Sequence, residues 1–161
     1  LSGHLAHTGD TLWYQNLHKP LFTPPAWIFS VIWPILYIMM GIVLGKIIRL
    51  NNSSLRLLFV IQFTCNIIWS YIFFKLHRID IALADITILW GALIALIIQS
   101  HRYKTIFSLL LPYLLWISFA LILNYEIYYR TFKSALQDSK KSFLNYIFHI
   151  LLAFIFIANN P

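Results

Sequence analysis

Three rows of aromatic and amide side chains stand at helical spacing in this sequence: Trp33, Tyr37 and Met40; Gln62, Asn66, Trp69 and Phe73; and Tyr113, Trp116, Ala120 and Asn124. Residues three, four and seven apart share one helix face, so each row is a stripe. The rings offer flat stacking faces, and each indole brings an N–H that needs a partner when it is buried. The amides add a donor and an acceptor each. Converging stripes of this kind line a cavity between helices that is apolar overall with a few fixed polar groups, the usual make-up of a small-molecule pocket. A plainer reading places Trp and Tyr in interfacial belts and lets Asn and Gln tie helices together. It suits Trp27 and Tyr129, near the ends of apolar runs, better than Trp33, Trp69 and Trp116, which lie deeper.

Other candidate groups are sparse. Asp85 is the only carboxylate well inside an apolar run. Intramembrane acids mark functional sites by default, yet Asp85 also lies about one turn into its helix, where the dipole favours an anion. Gly41 and Gly45 form "GIVLG", a G-x-x-x-G that permits close helix approach inside the bundle or between subunits. His4 and His7 stand three apart in a polar segment, which reads as a solvated loop rather than a metal site. Cys65 is the single cysteine, so no internal disulfide forms. There is no nucleophile elbow, no H-E-x-x-H and no glycine-rich phosphate loop, and the acids are too scattered for paired carboxylate chemistry. "LNYEIYYR" fits the loose L-x-Y-x-R pattern proposed for cholesterol contact.

The elements that must position these residues follow from composition. Of 161 residues, 60% are hydrophobic and 11% charged, against about 45–50% and about 25% in soluble domains. That excess of apolar surface requires a membrane. Apolar runs cover residues 26–48, 55–74, 81–98, 106–129 and 143–157. Each approaches the roughly 20 residues that span about 30 Å of hydrocarbon, and with no water to satisfy the backbone they must be helices or a closed barrel. Barrel strands are shorter and alternate in polarity, so helices are expected. Pro34 and Pro112 fall inside two of them, where local kinks are expected. "RLNNSSLR", "KLHRID" and "SHRYK" are tight turns.

The formal charge of +7 comes from short basic clusters between the apolar runs. That pattern suits loops at anionic headgroups and excludes the continuous basic face of a nucleic-acid binder. With residues 1–25 on one face, Lys46, Arg49, Arg56, Arg102 and Lys104 share the opposite face, whereas Lys75, Arg78, Arg130, Lys133, Lys140 and Lys141 share the first. The positive-inside count therefore leaves the orientation open.

"WYQNLHKPLFTPPAWIFSVIWPILYIMMG", "NIIWSYIFF" and "LLPYLLWISFALILNYEIYY" resemble the tryptophan-rich sensory protein family, also called the TspO, translocator protein or peripheral benzodiazepine receptor family. The likeness runs from about Trp13 to Tyr129. It implies an all-α integral membrane bundle of five helices, often a homodimer, that binds porphyrins and other rigid apolar ligands such as cholesterol beneath a long loop. Carried over by motif, the loop holds Trp13, Tyr14, Lys19, Pro20, Pro24 and Pro25, and the next helix supplies Trp27, Trp33, Tyr37 and Gly41. Asn66, Trp69, Ser70 and Phe73 follow, then Asp85, then Pro112, Tyr113, Trp116, Phe119, Ala120 and Asn124. Some bacterial members break down porphyrin in light through two pocket indoles, which match Trp33 and Trp116. No cofactor is implied beyond porphyrin as ligand, and no metal.

The chain order departs from this family. Its first helix should precede the loop, yet this chain starts almost at the loop and ends with "KKSFLNYIFHILLAFIFIANNP", which reads like an amino-terminal start. Joined to residue 1, that tail runs naturally into the loop, so a rotated numbering is expected. A helix following Arg130 crosses away from the loop's side, whereas the family's first helix crosses toward it. With the connectivity as numbered, the tail would insert reversed or residues 131–141 would cross unhelically, against the cost of unpaired backbone groups.

The expectation is thus a single membrane domain: residues 1–25 a pocket-covering loop, 26–130 four transmembrane helices, and 143–158 a fifth that corresponds to the family's first. The expected function is a receptor for porphyrins and other apolar molecules, linked to tetrapyrrole regulation, transport or stress response, with a tetrapyrrole transporter or a light-dependent porphyrin-degrading enzyme as alternatives. A transporter would show paired repeats and several midplane charges, and only Asp85 is found. The expected partners are the lipid bilayer, the apolar ligand and a second copy. The expected location is a bacterial inner membrane, or the mitochondrial outer membrane in a eukaryote.

Overall fold

The computed structural model describes residues 11–159. Every regular element among them is helical: α1 (Thr11–Asn16), α2 (Ala26–Leu50), α3 (Ser53–Phe74), α4 (Ile79–Gln99) and α5 (Lys104–Asn159). Four of these, α2 to α5, are long and apolar enough to cross a membrane. With the composition, this makes the chain an integral membrane protein built as a helical bundle.

Local chemistry sets the helix ends. Pro24 is held extended by the proline after it, and Pro25 sits at φ −57° and ψ 147°, so α2 begins immediately beyond. Asn51 closes α2 in the left-handed region at φ 49°, which asparagine tolerates. Asn52 then caps α3, its side chain accepting from the Leu55 N–H at 3.1 Å. A two-residue asparagine pair thus ends one helix and starts the next. Between α3 and α4, His77 takes φ 54°, and Arg78 pairs with Asp80 at 2.6 Å. Pro34 and Pro112 lie on exposed faces of helices that continue through them.

The fifth apolar run does not form a helix of its own. Residues 143–158 belong to α5, which runs 56 residues from Lys104, more than twice the roughly 20 needed for one crossing. The polar stretch 130–142 contains no glycine or proline, and Arg130, Lys133, Ala135, Leu136, Gln137, Lys140 and Lys141 are good helix formers, so no helix breaker lies in it. Side chains from residue 146 onward, and residues 1–10 with His4 and His7, lie outside the described residues.

The chain divides into two compact units, Leu1–Tyr128 and Tyr129–Pro161. The first holds two apolar clusters. The larger gathers Leu36, Met40, Val43, Ile47, Leu55, Phe59, Ile86, Leu89, Leu93, Leu96, Leu110, Tyr113 and Ile117. The smaller gathers Ile72, Phe73, Ile79, Ala82, Leu123 and Ile127, with Trp13, Tyr14 and Leu17 of the loop packed against it.

Candidate functional site

The three polar and aromatic stripes meet. Gln62, Asn66 and Phe73 of α3, Met40 of α2, and Tyr113 and Asn124 of α5 are buried, with Trp33, Tyr37, Trp69, Trp116 and Ala120 half-buried beside them. Asn66 is the junction. Its Oδ1 accepts from the Tyr37 hydroxyl at 3.0 Å, and its Nδ2 donates to the Tyr113 hydroxyl at 3.1 Å. One amide thereby ties α2, α3 and α5, using a donor and an acceptor that hydrocarbon would leave unpaired. One layer along, Gln62 Nε2 donates to the Met40 sulfur at 3.8 Å.

Beside Asn66 lies a small cavity lined by Trp33, Asn66, Trp69, Ile86, Leu89, Ile117 and Ala120. Its volume is about 10 Å³, room for little more than one water molecule. Pockets that enclose drug-sized ligands run to roughly 300–1,000 Å³, so a large ligand requires the helices or the loop to give way.

Rings surround this space. Trp33 stacks on Tyr37 with centroids 5.5 Å apart and planes 28° apart, and meets Trp116 edge-on at 6.5 Å and 89°. Trp116 also packs against Phe29 at 5.4 Å and Phe119 at 5.8 Å. Trp69 stacks on Phe73 at 5.1 Å. The indole N–H groups of Trp69 and Trp116 have no hydrogen-bond partner among the described residues, nor do the amide atoms of Asn124.

The loop continues the aromatic layer. Trp13 meets Phe73 edge-on at 5.6 Å and lies flat on His77 at 4.1 Å and 16°. Tyr14 packs on Phe73 and Phe74, the Lys19 ammonium sits 4.2 Å from the Tyr14 ring centre, and Phe22 meets Phe119 at 6.3 Å. Burial pushes the Tyr14 hydroxyl above its ordinary range, so it stays neutral. The segment holds its own shape through Thr23, whose hydroxyl donates to the Pro20 carbonyl at 2.7 Å.

The remaining expected residues sit apart from the cavity lining. Trp27 is 66% exposed at the start of α2, as an interfacial anchor would be. Pro24 is half-buried in the loop. Asp85 is half-buried on α4 with the Cys65 thiol of α3 as its polar neighbour, and its Oδ2 has no partner among the described residues. Gly41 and Gly45 are exposed, and a Cβ on either would meet nothing within 4 Å. They therefore do not pack a helix within the described chain. Sequence reasoning missed Ile86, Leu89 and Ile117, which carry no signal beyond apolarity, and also His77 and the Trp90 indole, which donates to Ser118 at 2.9 Å across α4 and α5.

A family model described as TspO/MBR matches residues 1–130. "Tryptophan-rich protein TspO" of Archaeoglobus fulgidus is 40% identical over 119 residues, covering 72% of this chain and 78% of that protein. "Tryptophan-rich sensory protein" of Cereibacter sphaeroides is 34% identical over 130 residues, covering 77% and 82%. "Translocator protein" of Homo sapiens is 29% identical over 136 residues, covering 80% of each.

Proposed function

The chain belongs to the TspO/MBR family, and from that premise we propose that it is a membrane receptor for flat, rigid apolar molecules, with porphyrins as the principal class and sterols such as cholesterol as a second. The observation that carries this reading is the aromatic frame around the cavity, in which Trp33 stacks on Tyr37 and stands orthogonal to Trp116. Two indole planes at right angles suit a tetrapyrrole that lies on one ring and abuts the edge of the other. Leu or Ile would bury the same helices but offer neither a stacking face nor an N–H.

The ligand enters by displacing the loop. Trp13 and Tyr14 rest on Phe73, one turn beyond Trp69 of the cavity wall, so lifting α1 uncovers the aromatic layer next to the site. The unpartnered N–H groups of Trp69 and Trp116 then serve polar edges of the bound molecule. Light-dependent breakdown of a bound porphyrin is the second reading, favoured by the contact between Trp33 and Trp116. The proposed assembly is a homodimer through the open Gly41 and Gly45 face. The proposed membrane is a bacterial inner membrane.

The test is a protoporphyrin titration of the detergent-solubilised protein beside the double variant Trp33→Leu, Trp116→Leu. Loss of two stacking faces, at about 1–3 kcal/mol each, should weaken binding by at least about tenfold. Unchanged affinity and unchanged quenching in the double variant would overturn the assignment of these rings.

A further inference from the structure

Charge is divided unevenly between the two ends of the bundle. Ile47, Leu55, Leu96 and Ile106, all buried, bring the end of α2, the start of α3, the end of α4 and the start of α5 into one apolar cluster. The Ser54 hydroxyl donates to the Gln99 side-chain carbonyl at 2.8 Å, which joins the α2–α3 turn to the α4–α5 turn. Lys46, Arg49 and Arg56 flank the first turn, Arg102 and Lys104 lie in and after the second, and all but the half-buried Lys46 are exposed. No Asp or Glu occurs in residues 11–79 or 86–125, and none of these five cations forms a salt bridge among the described residues. At the loop end, by contrast, Arg78 pairs with Asp80 and the Lys19 ammonium rests over the Tyr14 ring.

We propose that the end of the bundle formed by the α2–α3 and α4–α5 turns selects anionic phospholipid, and that the loop end does not. Lipid phosphates lie against Arg49, Arg56, Arg102 and Lys104, where each cation near an anionic headgroup adds to the attraction. The acyl chains lie on Ile48, Leu57 and Ile98, which are exposed on the same helix ends. That mixture selects the occupant. A soluble polyanion would meet the cations but not the apolar side chains beside them, and a second copy would bring the same uncompensated charge and be repelled. The long basic side chains at these helix ends reach the phosphate level while their stems stay on hydrocarbon. The inference stands on the membrane location alone and is independent of the ligand proposed for the cavity.

The test uses the full chain with Cys65→Ala and one fluorophore, attached at Ser53→Cys beside the basic end or at Leu76→Cys beside the loop end. Each protein is reconstituted in mixed phosphatidylcholine and phosphatidylglycerol vesicles in which one lipid or the other carries a nitroxide quencher high on its acyl chain. At residue 53, phosphatidylglycerol should quench as though enriched about fivefold over phosphatidylcholine. The enrichment should fall towards unity in high salt and in the combined variant Arg49→Gln, Arg56→Gln, Arg102→Gln, Lys104→Gln, whose helices are checked by circular dichroism. At residue 76 the two lipids should quench alike. Equal quenching by both lipids at residue 53 would overturn the proposal, and so would the same enrichment at both ends or an enrichment that ignores salt. The salt series on the parent protein decides the matter even if the combined variant does not fold.

Discussion

Asn66 illustrates how much one side chain contributes where water is absent. Its amide bonds Tyr37 and Tyr113 at once, so Asn66→Leu should lower the thermal stability of the purified protein by about 1–2 kcal/mol. Asn66→Asp would still accept from Tyr37 but would place a charge in the same position. Thermal unfolding in detergent, followed by circular dichroism, reads the effect of Asn66→Leu; an unchanged midpoint would contradict the bridging role. This junction was legible in the sequence because amides are rare in apolar runs and the spacing of Asn66, Tyr37 and Tyr113 put each on a stripe. The apolar wall of the cavity was not legible. In a membrane helix both the lipid-facing and the inward-facing positions are apolar, so Ile86 and Leu89 look no different from Ile88, which is exposed.

Among the elements, α1 and the loop after it govern access in the function proposed here. Trp13 makes two ring contacts, with Phe73 and His77, and each aromatic pair contributes about 0.5–1.5 kcal/mol. Trp13→Ala should therefore speed porphyrin release by about tenfold in stopped-flow displacement, with a smaller effect on thermal stability. An unchanged release rate would mean that the loop does not cover the site. The prolines announced an ordered loop, but His77 gave no sign of its contact, because only the left-handed turn at φ 54° brings it under Trp13. The turn between α2 and α3 was readable from the shortness of "RLNNSSLR" between two apolar runs. The length of α5 was misjudged for a physical reason: residues 130–142 are polar, which reads as a loop, yet polarity does not end a helix without a glycine, a proline or a cap.

At the scale of the whole molecule, composition alone required a bilayer, and the four long apolar helices meet that requirement. Assembly was less readable, since G-x-x-x-G serves packing within a bundle and between chains alike. The open surroundings of Gly41 and Gly45 make a specific expectation. Gly41→Leu with Gly45→Leu should leave the thermal stability of the monomer unchanged while reducing cross-linked dimer in vesicles, and a dimer yield equal to that of the parent would remove this face from the interface. The most direct measurement of the central claim, a pocket built from aromatic stripes, is tryptophan quenching by protoporphyrin in the dark and then under light. Saturable quenching with a roughly micromolar constant is predicted, and light-dependent loss of porphyrin absorbance would add the degradative reading. Quenching that rises linearly without saturation would contradict the account, leaving the rings as packing and interfacial anchors.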